Sequence, residues 1–172
     1  MSRKRQVLRF NGDTVVFVDW ANVFGWQKEL KKVIEPEGVF ELFSDNSLVR
    51  GVNFYFGTDN NIKSRDFLSN AKKIGFNVIT KDVKYIKIKD TDITQRKCDF
   101  DLEIGLDCLE NIDKYKTFVF LSGDGDFATL YERLIAKGKQ VIVVYEQGHL
   151  GKEVWDIKKG VFKTRLSYIM DI

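Results

Sequence analysis

The sequence predicts an α/β fold with a mainly parallel central sheet and helices on both of its faces. Apolar runs of strand length recur along the 172 residues, and segments with helical spacing of apolar residues lie between them. The strand-length runs are almost continuously apolar, which is typical of parallel strands buried on both faces. With 44% hydrophobic residues and one proline, the chain is expected to form a single domain over residues 1–172.

The predicted elements alternate along the chain. Strands are expected over residues 14–19, 52–57, 76–80, 117–121 and 141–145. Helices are expected over residues 22–34, 39–48, 61–74, 99–112, 125–137 and 151–157, with Gly75 at the end of the third. Pro36 and Gly38 are expected to interrupt the first pair of helices. Residues 83–88 are expected to form an extra strand or ribbon, and the tail 161–172 fits a strand or a helix.

Composition excludes some settings for the chain. No apolar run approaches the roughly 20 residues of a membrane span, so no membrane partner is expected. The basic start of the sequence is not followed by the apolar segment of a secretory signal. Cys98 and Cys108 are expected in one helix, too far apart for a disulfide. These features predict a cytoplasmic protein.

Cations are concentrated between residues 81 and 97, although the net charge of the whole chain is only +3. They are Lys81, Lys84, Lys87, Lys89, Arg96 and Lys97, and Tyr85, Ile86 and Ile88 are interleaved with them. One interpretation is a surface that holds a polyanion by its phosphates. The other is an exposed strand whose lysines protect it from pairing with other chains. The sequence leaves both interpretations open, and Arg3, Lys4 and Arg5 are a further candidate for the first.

Acidic residues follow two of the predicted strands. Asp19 ends the first strand, and Asp124 and Asp126 lie in the turn after the fourth. The carboxyl ends of parallel strands meet at one edge of the sheet, where ligands bind in folds of this class. Each acid also has a purely structural interpretation, as the N-cap of the following helix or as part of a tight turn.

A further acid, Asp101, is expected to face inward from the helix over 99–112. The apolar residues of this helix are expected to form one buried stripe: Leu102, Ile104, Gly105, Leu106, Cys108, Leu109 and Ile112. Helical spacing places Asp101 on the buried side, whereas Glu103, Asp107, Glu110 and Lys114 are expected on the solvated face. An inward carboxylate needs a partner. A metal ion or Lys97 would serve.

Together, Asp19, Asp101, Asp124 and Asp126 suggest a metal site. Two carboxylates about 4 Å apart repel each other by roughly 4 kcal/mol at an effective dielectric constant of about 20. A cluster therefore stays partly protonated unless a cation lies within it. Oxygen ligands favour Mg²⁺ or Mn²⁺, and such a site can activate water and stabilise the leaving oxygen in phosphodiester cleavage.

Three short motifs resemble those of NYN domains of the LabA-like branch, which belong with the PIN-like nucleases. They are Asp19-Trp20-Ala21-Asn22, Lys97-Cys98-Asp99-Phe100-Asp101 and Ser122-Gly123-Asp124-Gly125-Asp126-Phe127, in the order found in that family. The resemblance runs from about residue 14 to about residue 148. It implies a Rossmann-like three-layer αβα sandwich, a Mg²⁺ or Mn²⁺ cofactor and ribonuclease activity on RNA, with single-stranded RNA the expected substrate.

The resemblance also assigns roles to residues. Asp19, Asp101, Asp124 and Asp126 match the catalytic, metal-binding acids, and Asn22 and Lys97 match the polar residues beside them. The chain departs from the family pattern at Cys98, where glycine is usual, and at Gly125, where serine is usual. The family also commonly carries an acid at the position of Asp107.

The sequence thus predicts a metal-dependent ribonuclease. Its expected substrate-binding residues are Asn22, Lys84, Lys87, Lys97 and Ser122. Asn22 could instead start a helix, and Ser122 could instead only shape the turn. The alternative is a catalytically weak or inactive module on the same fold that binds RNA or protein. A homodimer is compatible with either function.

Overall fold

The computed structural model of the chain describes residues 5–59, 61–89, 91 and 93–171. The strands of the described part are β1 (Thr14–Asp19), β2 (Val49–Thr58), β3 (Asn77–Asp82), β4 (Lys84–Lys87), β5 (Thr94–Lys97), β6 (Thr117–Leu121), β7 (Gln140–Tyr145) and β8 (Val161–Arg165). The helices are α1 (Trp20–Leu30), α2 (Pro36–Ser44), α3 (Ile62–Ile74), α4 (Asp101–Glu110), α5 (Ala128–Ala136), α6 (Lys152–Asp156) and α7 (Leu166–Ile169). A short 3₁₀ turn, Gly125–Phe127, leads into α5.

Six parallel strands form the central sheet, in the order β3-β2-β1-β6-β7-β8. The order reverses between β1 and β6, which are neighbours although about 100 residues separate them in the chain. Val18 is paired with Leu121, so the two strands end at the same level. In open parallel sheets the crevice at such a reversal is the usual place for a ligand.

Apolar residues cover both faces of the sheet. Successive residues of a strand point to opposite faces: Val16 and Val18 of β1 pack into one core cluster, and Val15 and Phe17 into the other. All six residues of β1 are buried. The expected three-layer α/β architecture with a mainly parallel sheet is therefore confirmed.

The tail and the region around Pro36 show what sequence spacing left open. The tail forms both a strand and a helix, β8 and α7. Pro36 is the first residue of α2, a position where its missing N–H leaves no hydrogen bond unmade. Pro36 thus begins the second helix, earlier than the expected residue 39.

Helix α4 corrects the predicted apolar stripe. Ile104 and Cys108 are buried, as expected, but Leu102, Leu106 and Leu109 are exposed. The helix carries apolar residues on two opposite sides, and only one side packs against the sheet. The prediction of a single buried stripe was wrong because spacing along a helix does not show which side meets the core.

Strands β4 and β5 form a separate antiparallel hairpin between β3 and α4. All eight strand residues of this hairpin are exposed. The expected extra ribbon is therefore present. Cys98 lies between the hairpin and α4 rather than within a helix. In the described part of the chain, no helix combines the length and apolarity required to cross a membrane.

Candidate metal centre

Three carboxylates converge where the strand order reverses. One carboxylate oxygen from each of Asp101, Asp124 and Asp126 lies within 4.8 Å of the others. Asp101 is the first residue of α4, and the other two belong to the turn that follows β6. As expected, Asp101 faces inward, and its carboxylate lies close to the two acids of the turn.

The turn after β6 packs closely against the residues that precede α6. The backbone N–H of Gly151 donates to the carbonyl of Gly123 at 2.7 Å, and a Cβ on Gly123 would overlap the carbonyl oxygen of His149. Only glycine fits at this position. The Oγ of buried Ser122 accepts from the N–H of Asp124 at 3.3 Å, so Ser122 shapes the turn.

Asp124 also caps the turn that it begins. Its Oδ1 accepts from the backbone N–H of Asp126 at 3.0 Å, which satisfies one donor at the start of the 3₁₀ turn. The capping interpretation and the metal interpretation therefore apply to the same residue, because a carboxylate has two oxygens. Asp126 itself is exposed.

The half-buried Asp101 carboxyl shows the electrostatic tension of the cluster. Its pKa is raised to about 6, first by loss of solvent and then by the charges of Asp124, Asp19, Asp99 and Asp126. A cation placed among these carboxylates would relieve both effects. The donor set is all oxygen, which suits a hard divalent cation.

Asp19 borders the cluster from the end of β1. Its side chain is almost completely buried and accepts from the N–H of Ala21 at 3.1 Å and from Asn22 Nδ2 at 2.8 Å. Burial raises the pKa of Asp19, the hydrogen bonds from Asn22 and Ala21 lower it, and the charge of Asp124 raises it further. Asp19 thus caps α1 and interacts electrostatically with Asp124. It lies outside the group of three converging oxygens. Asn22 orients Asp19.

Comparison with known proteins identifies the family of the chain. The family model described as NYN domain matches residues 13–159. The chain belongs to the NYN domain family. It is 28% identical over 144 residues to the low amplitude and bright protein LabA of Synechococcus elongatus. The match covers 81% of this chain and 76% of LabA. It is therefore a LabA-like NYN protein.

A solved structure shares the fold. The crystal structure of a protein of unknown function from Vibrio parahaemolyticus superposes with a TM-score of 0.70 and covers 94% of this chain and 99% of that one, at 22% identity. NYN domains form a PIN-like nuclease family that usually uses divalent metals. The three carboxylates of Asp101, Asp124 and Asp126 offer only oxygen ligands, which suits such an ion.

Asp107 of this NYN domain contacts the protein interior instead of pointing wholly to solvent. Its Oδ2 accepts from the hydroxyl of buried Tyr55 at 2.7 Å, and burial, followed by this bond, raises the pKa of Tyr55. The expectation of a solvated Asp107 was wrong because a tyrosine from β2 reaches it. It does not belong to the converging group.

The predicted substrate-binding lysines are exposed at the surface. Lys97 Nζ lies 3.8 Å from Asp99 Oδ2. Lys84 is directly opposite Lys97 in the hairpin, so these two share a face, whereas Lys87 belongs to the other face. Lys81, by contrast, is bound to both carboxylate oxygens of Glu103 at 2.7 and 2.8 Å. Arg3 and Lys4 lie outside the described residues.

Glu153 is the acid that sequence reasoning missed. A Cβ on Gly125 would overlap Glu153 Oε2, so a carboxylate from α6 occupies the space of the serine side chain usual in the family. Gly125 and Glu153 are 28 positions apart in the sequence. Only the packing of α6 on the turn shows that Glu153 fills the space beside Gly125.

Proposed function

We propose that this NYN domain is a divalent-metal-dependent ribonuclease that hydrolyses phosphodiester bonds of single-stranded RNA. The observation that carries the proposal is the convergence of Asp101, Asp124 and Asp126 at the reversal of the sheet. Membership of a nuclease family supports it. The neighbouring Asp19 would complete the acidic site.

The three converging carboxylates would hold Mg²⁺ or Mn²⁺, with Asp19 beside them. When bound, such an ion lowers the pKa of coordinated water and stabilises developing charge on the leaving oxygen. Asn22 keeps Asp19 in one orientation through its 2.8 Å hydrogen bond. Ser122 fixes the backbone that presents Asp124. These contacts hold the acids in place before the substrate arrives.

Cations on the hairpin would bind the RNA backbone. Lys84 and Lys97 lie side by side on one face of the ribbon, and Lys87 lies on the other. Lys97 is only four residues from Asp101 along the chain, so phosphates held there lie near the acidic site. Binding through phosphates is independent of base sequence and weakens with salt.

Two reduced cysteines support a cytoplasmic location. Cys98 and Cys108 are free, and burial raises the pKa of Cys108 to about 12, which makes its thiol unreactive. A reducing compartment suits such a pair.

Cleavage of a fluorescent single-stranded RNA with Mn²⁺ or Mg²⁺ tests the proposal. Asp101→Asn is expected to reduce the rate by roughly 100-fold or more, since it removes one charged ligand of the ion. Asp113→Asn, which removes an exposed acid just beyond α4, is the control and should cleave at the wild-type rate. EDTA should stop cleavage. Equal rates for wild type and Asp101→Asn would overturn the proposal.

The second candidate is an RNA-binding module without catalysis, favoured by the exposure of the whole hairpin. It predicts salt-dependent RNA binding that is unchanged by EDTA and by Asp101→Asn. Fluorescence anisotropy with the same RNA distinguishes the two functions. Binding without any cleavage in Mn²⁺ would favour the module.

A further inference from the structure

An exposed tryptophan lies among lysines on and after α6, outside the carboxylate site. Trp155 is 58% exposed, whereas Trp20 and Trp26 are buried. We call this surface the indole patch; it consists of Trp155 with Lys152, Lys158, Lys159 and Lys163. A single exposed apolar residue is ordinary on a protein surface, so the surroundings of Trp155 decide what it can bind.

Two ammonium groups lie beside the indole ring. Lys158 Nζ is 5.8 Å and Lys163 Nζ is 5.9 Å from the ring centroid, within the range of a cation–π contact. Lys163 is held there, because its Nζ donates to the backbone carbonyls of Trp155 at 3.0 Å and of Ile157 at 2.6 Å. Carbonyls carry no net charge, so these bonds position the ammonium group without neutralising it.

The acids of the same segment leave the patch positive. Glu153 fills the space beside the turn after β6, and Asp156 Oδ1 lies 3.6 Å from Lys158 Nζ. In the described part of the chain, Lys152 and Lys159 are exposed and form no ion pair. Uncompensated positive charge therefore lies before and after the indole along the chain.

The start of α6 places the indole patch next to the acidic turn. The N–H of Gly151 donates to the carbonyl of Gly123 at 2.7 Å, and Glu153 fills the space beside Gly125. Trp155 follows one helical turn later, since its N–H donates to the carbonyl of Gly151 at 3.0 Å. One turn advances only about 5.4 Å along a helix, so Trp155 is held close to the carboxylate site.

The indole patch and the basic hairpin lie on opposite sides of the acids. α6 connects β7 to β8, whereas the hairpin connects β3 to α4. In the order of the sheet, the reversal between β1 and β6 lies between β3 and β7. Four strand spacings separate β3 from β7, which is roughly 19 Å. A single strand that runs from the hairpin to α6 therefore passes the carboxylates.

We propose that Trp155 stacks on a base of single-stranded RNA while the lysines of the indole patch hold the neighbouring phosphates. The identity of the strand as RNA rests on the proposed function. Grooves that bind single strands combine positive charge with aromatic rings on which bases stack. Stacking on Trp155 fixes one nucleotide beside the acidic turn and so decides which phosphodiester bond reaches the acids.

The surroundings of Trp155 favour a nucleic acid over a protein partner. Among its five described residues, α6 has no second exposed apolar side chain, since Val154 is buried. The centre of a protein interface is poor in lysine, and a tryptophan there is enclosed by contacts that exclude water. An indole among lysines instead suits a base and its phosphates, which offer a π-face and negative charge.

Fluorescence anisotropy in EDTA, where a metal-dependent enzyme cannot cleave, measures binding of a single-stranded RNA by itself. Trp155→Ala should weaken binding roughly tenfold, whereas Trp155→Phe keeps a ring and should bind nearly as tightly as the wild type. The control Phe162→Ala removes an exposed ring of β8 from the face of the sheet opposite to that of Lys163. It should bind like the wild type.

A strand without bases separates stacking from a general effect of the substitution. Wild type and Trp155→Ala should bind a ribose-phosphate oligomer of the same length equally, because its phosphates are unchanged. Lys152→Gln with Lys159→Gln should weaken binding of both strands and reduce the salt slope by about 1.4. RNA should also quench the tryptophan emission of the wild type and leave that of Trp155→Phe unchanged, since Trp155 is the exposed indole of the three.

Equal affinities of wild type and Trp155→Ala for RNA would overturn the proposal, as would an equal loss on the strand without bases or a wild type that binds no RNA. Self-association that is lost in Trp155→Ala while RNA binding is unchanged would instead assign the indole patch to a protein. Cleavage in Mn²⁺ tests the proposed function separately. Cleavage that does not need Trp155 would remove only the stacking site, and stacking without cleavage would remove only the ribonuclease.

Discussion

Asp101→Asn is expected to stabilise the metal-free protein at neutral pH and to abolish its stabilisation by divalent cations. In the wild type, the half-buried Asp101 carboxylate lies among other acids and its pKa is raised to about 6. The neutral amide of asparagine has nearly the same shape and no charge to repel. The substitution therefore removes the repulsion together with the ligand.

The direction of the pH dependence follows from proton binding. Between about pH 4 and pH 6 the folded state holds a proton on Asp101 that the unfolded chain has lost, so the free energy of unfolding falls as the pH rises through this window. Well above pH 6 the Asp101 carboxyl is ionised in both the folded and the unfolded state, and the loss of stability is complete. The change in pKa from 3.8 to about 6 corresponds to at most about 3 kcal/mol. Solvent screening of this partly exposed group reduces the expected value to about 1–1.5 kcal/mol.

Urea unfolding in EDTA between pH 4.5 and 7.5 measures this difference. Asp101→Asn should exceed the wild type by only about a third of the full difference at pH 4.5, and by about 1–1.5 kcal/mol at pH 7.5. Asp113→Asn is the control and should follow the wild type throughout. Mn²⁺ should raise the Tm of the wild type by mass action and leave that of Asp101→Asn unchanged. A gap between the two proteins that does not vary with pH would refute the reasoning.

Substitutions at Gly123 and Tyr131 test the packing around the site. Gly123→Ala should lower the free energy of unfolding by about 2–3 kcal/mol, because its Cβ would overlap the carbonyl oxygen of His149; Gly25→Ala, in open space on α1, should instead stabilise by about 0.5–1 kcal/mol. Thermal melts of both variants check this, and similar effects at the two glycines would contradict it. Tyr131→Phe should raise stability by about 1 kcal/mol, because the buried hydroxyl has no hydrogen-bond partner among the described residues. A loss of stability in urea would show that this hydroxyl is bound.

Much of the site is predictable because strand ends are local features. The apolar run before Asp19 and the run before Asp124 each indicate a buried strand, and the acids follow directly. A parallel sheet brings such ends to one edge, whatever the strand order. Helical spacing beside Gly105, Cys108 and Ile112 also predicted an inward Asp101, but only the packing of α4 decided that this side of the helix is the buried one.

The sequence by itself determined which residues share a strand, a helix side or a turn, because those relations depend on spacing along a few residues. Only the tertiary structure decided which side of α4 is buried, that Tyr55 reaches Asp107, and that Glu153 takes the space beside Gly125. Each depends on an element remote in the sequence, and apolar spacing has the same form on a buried side and on an exposed one. The exposure of Leu102, Leu106 and Leu109 could therefore be recognised only once the packing of α4 against the sheet was known.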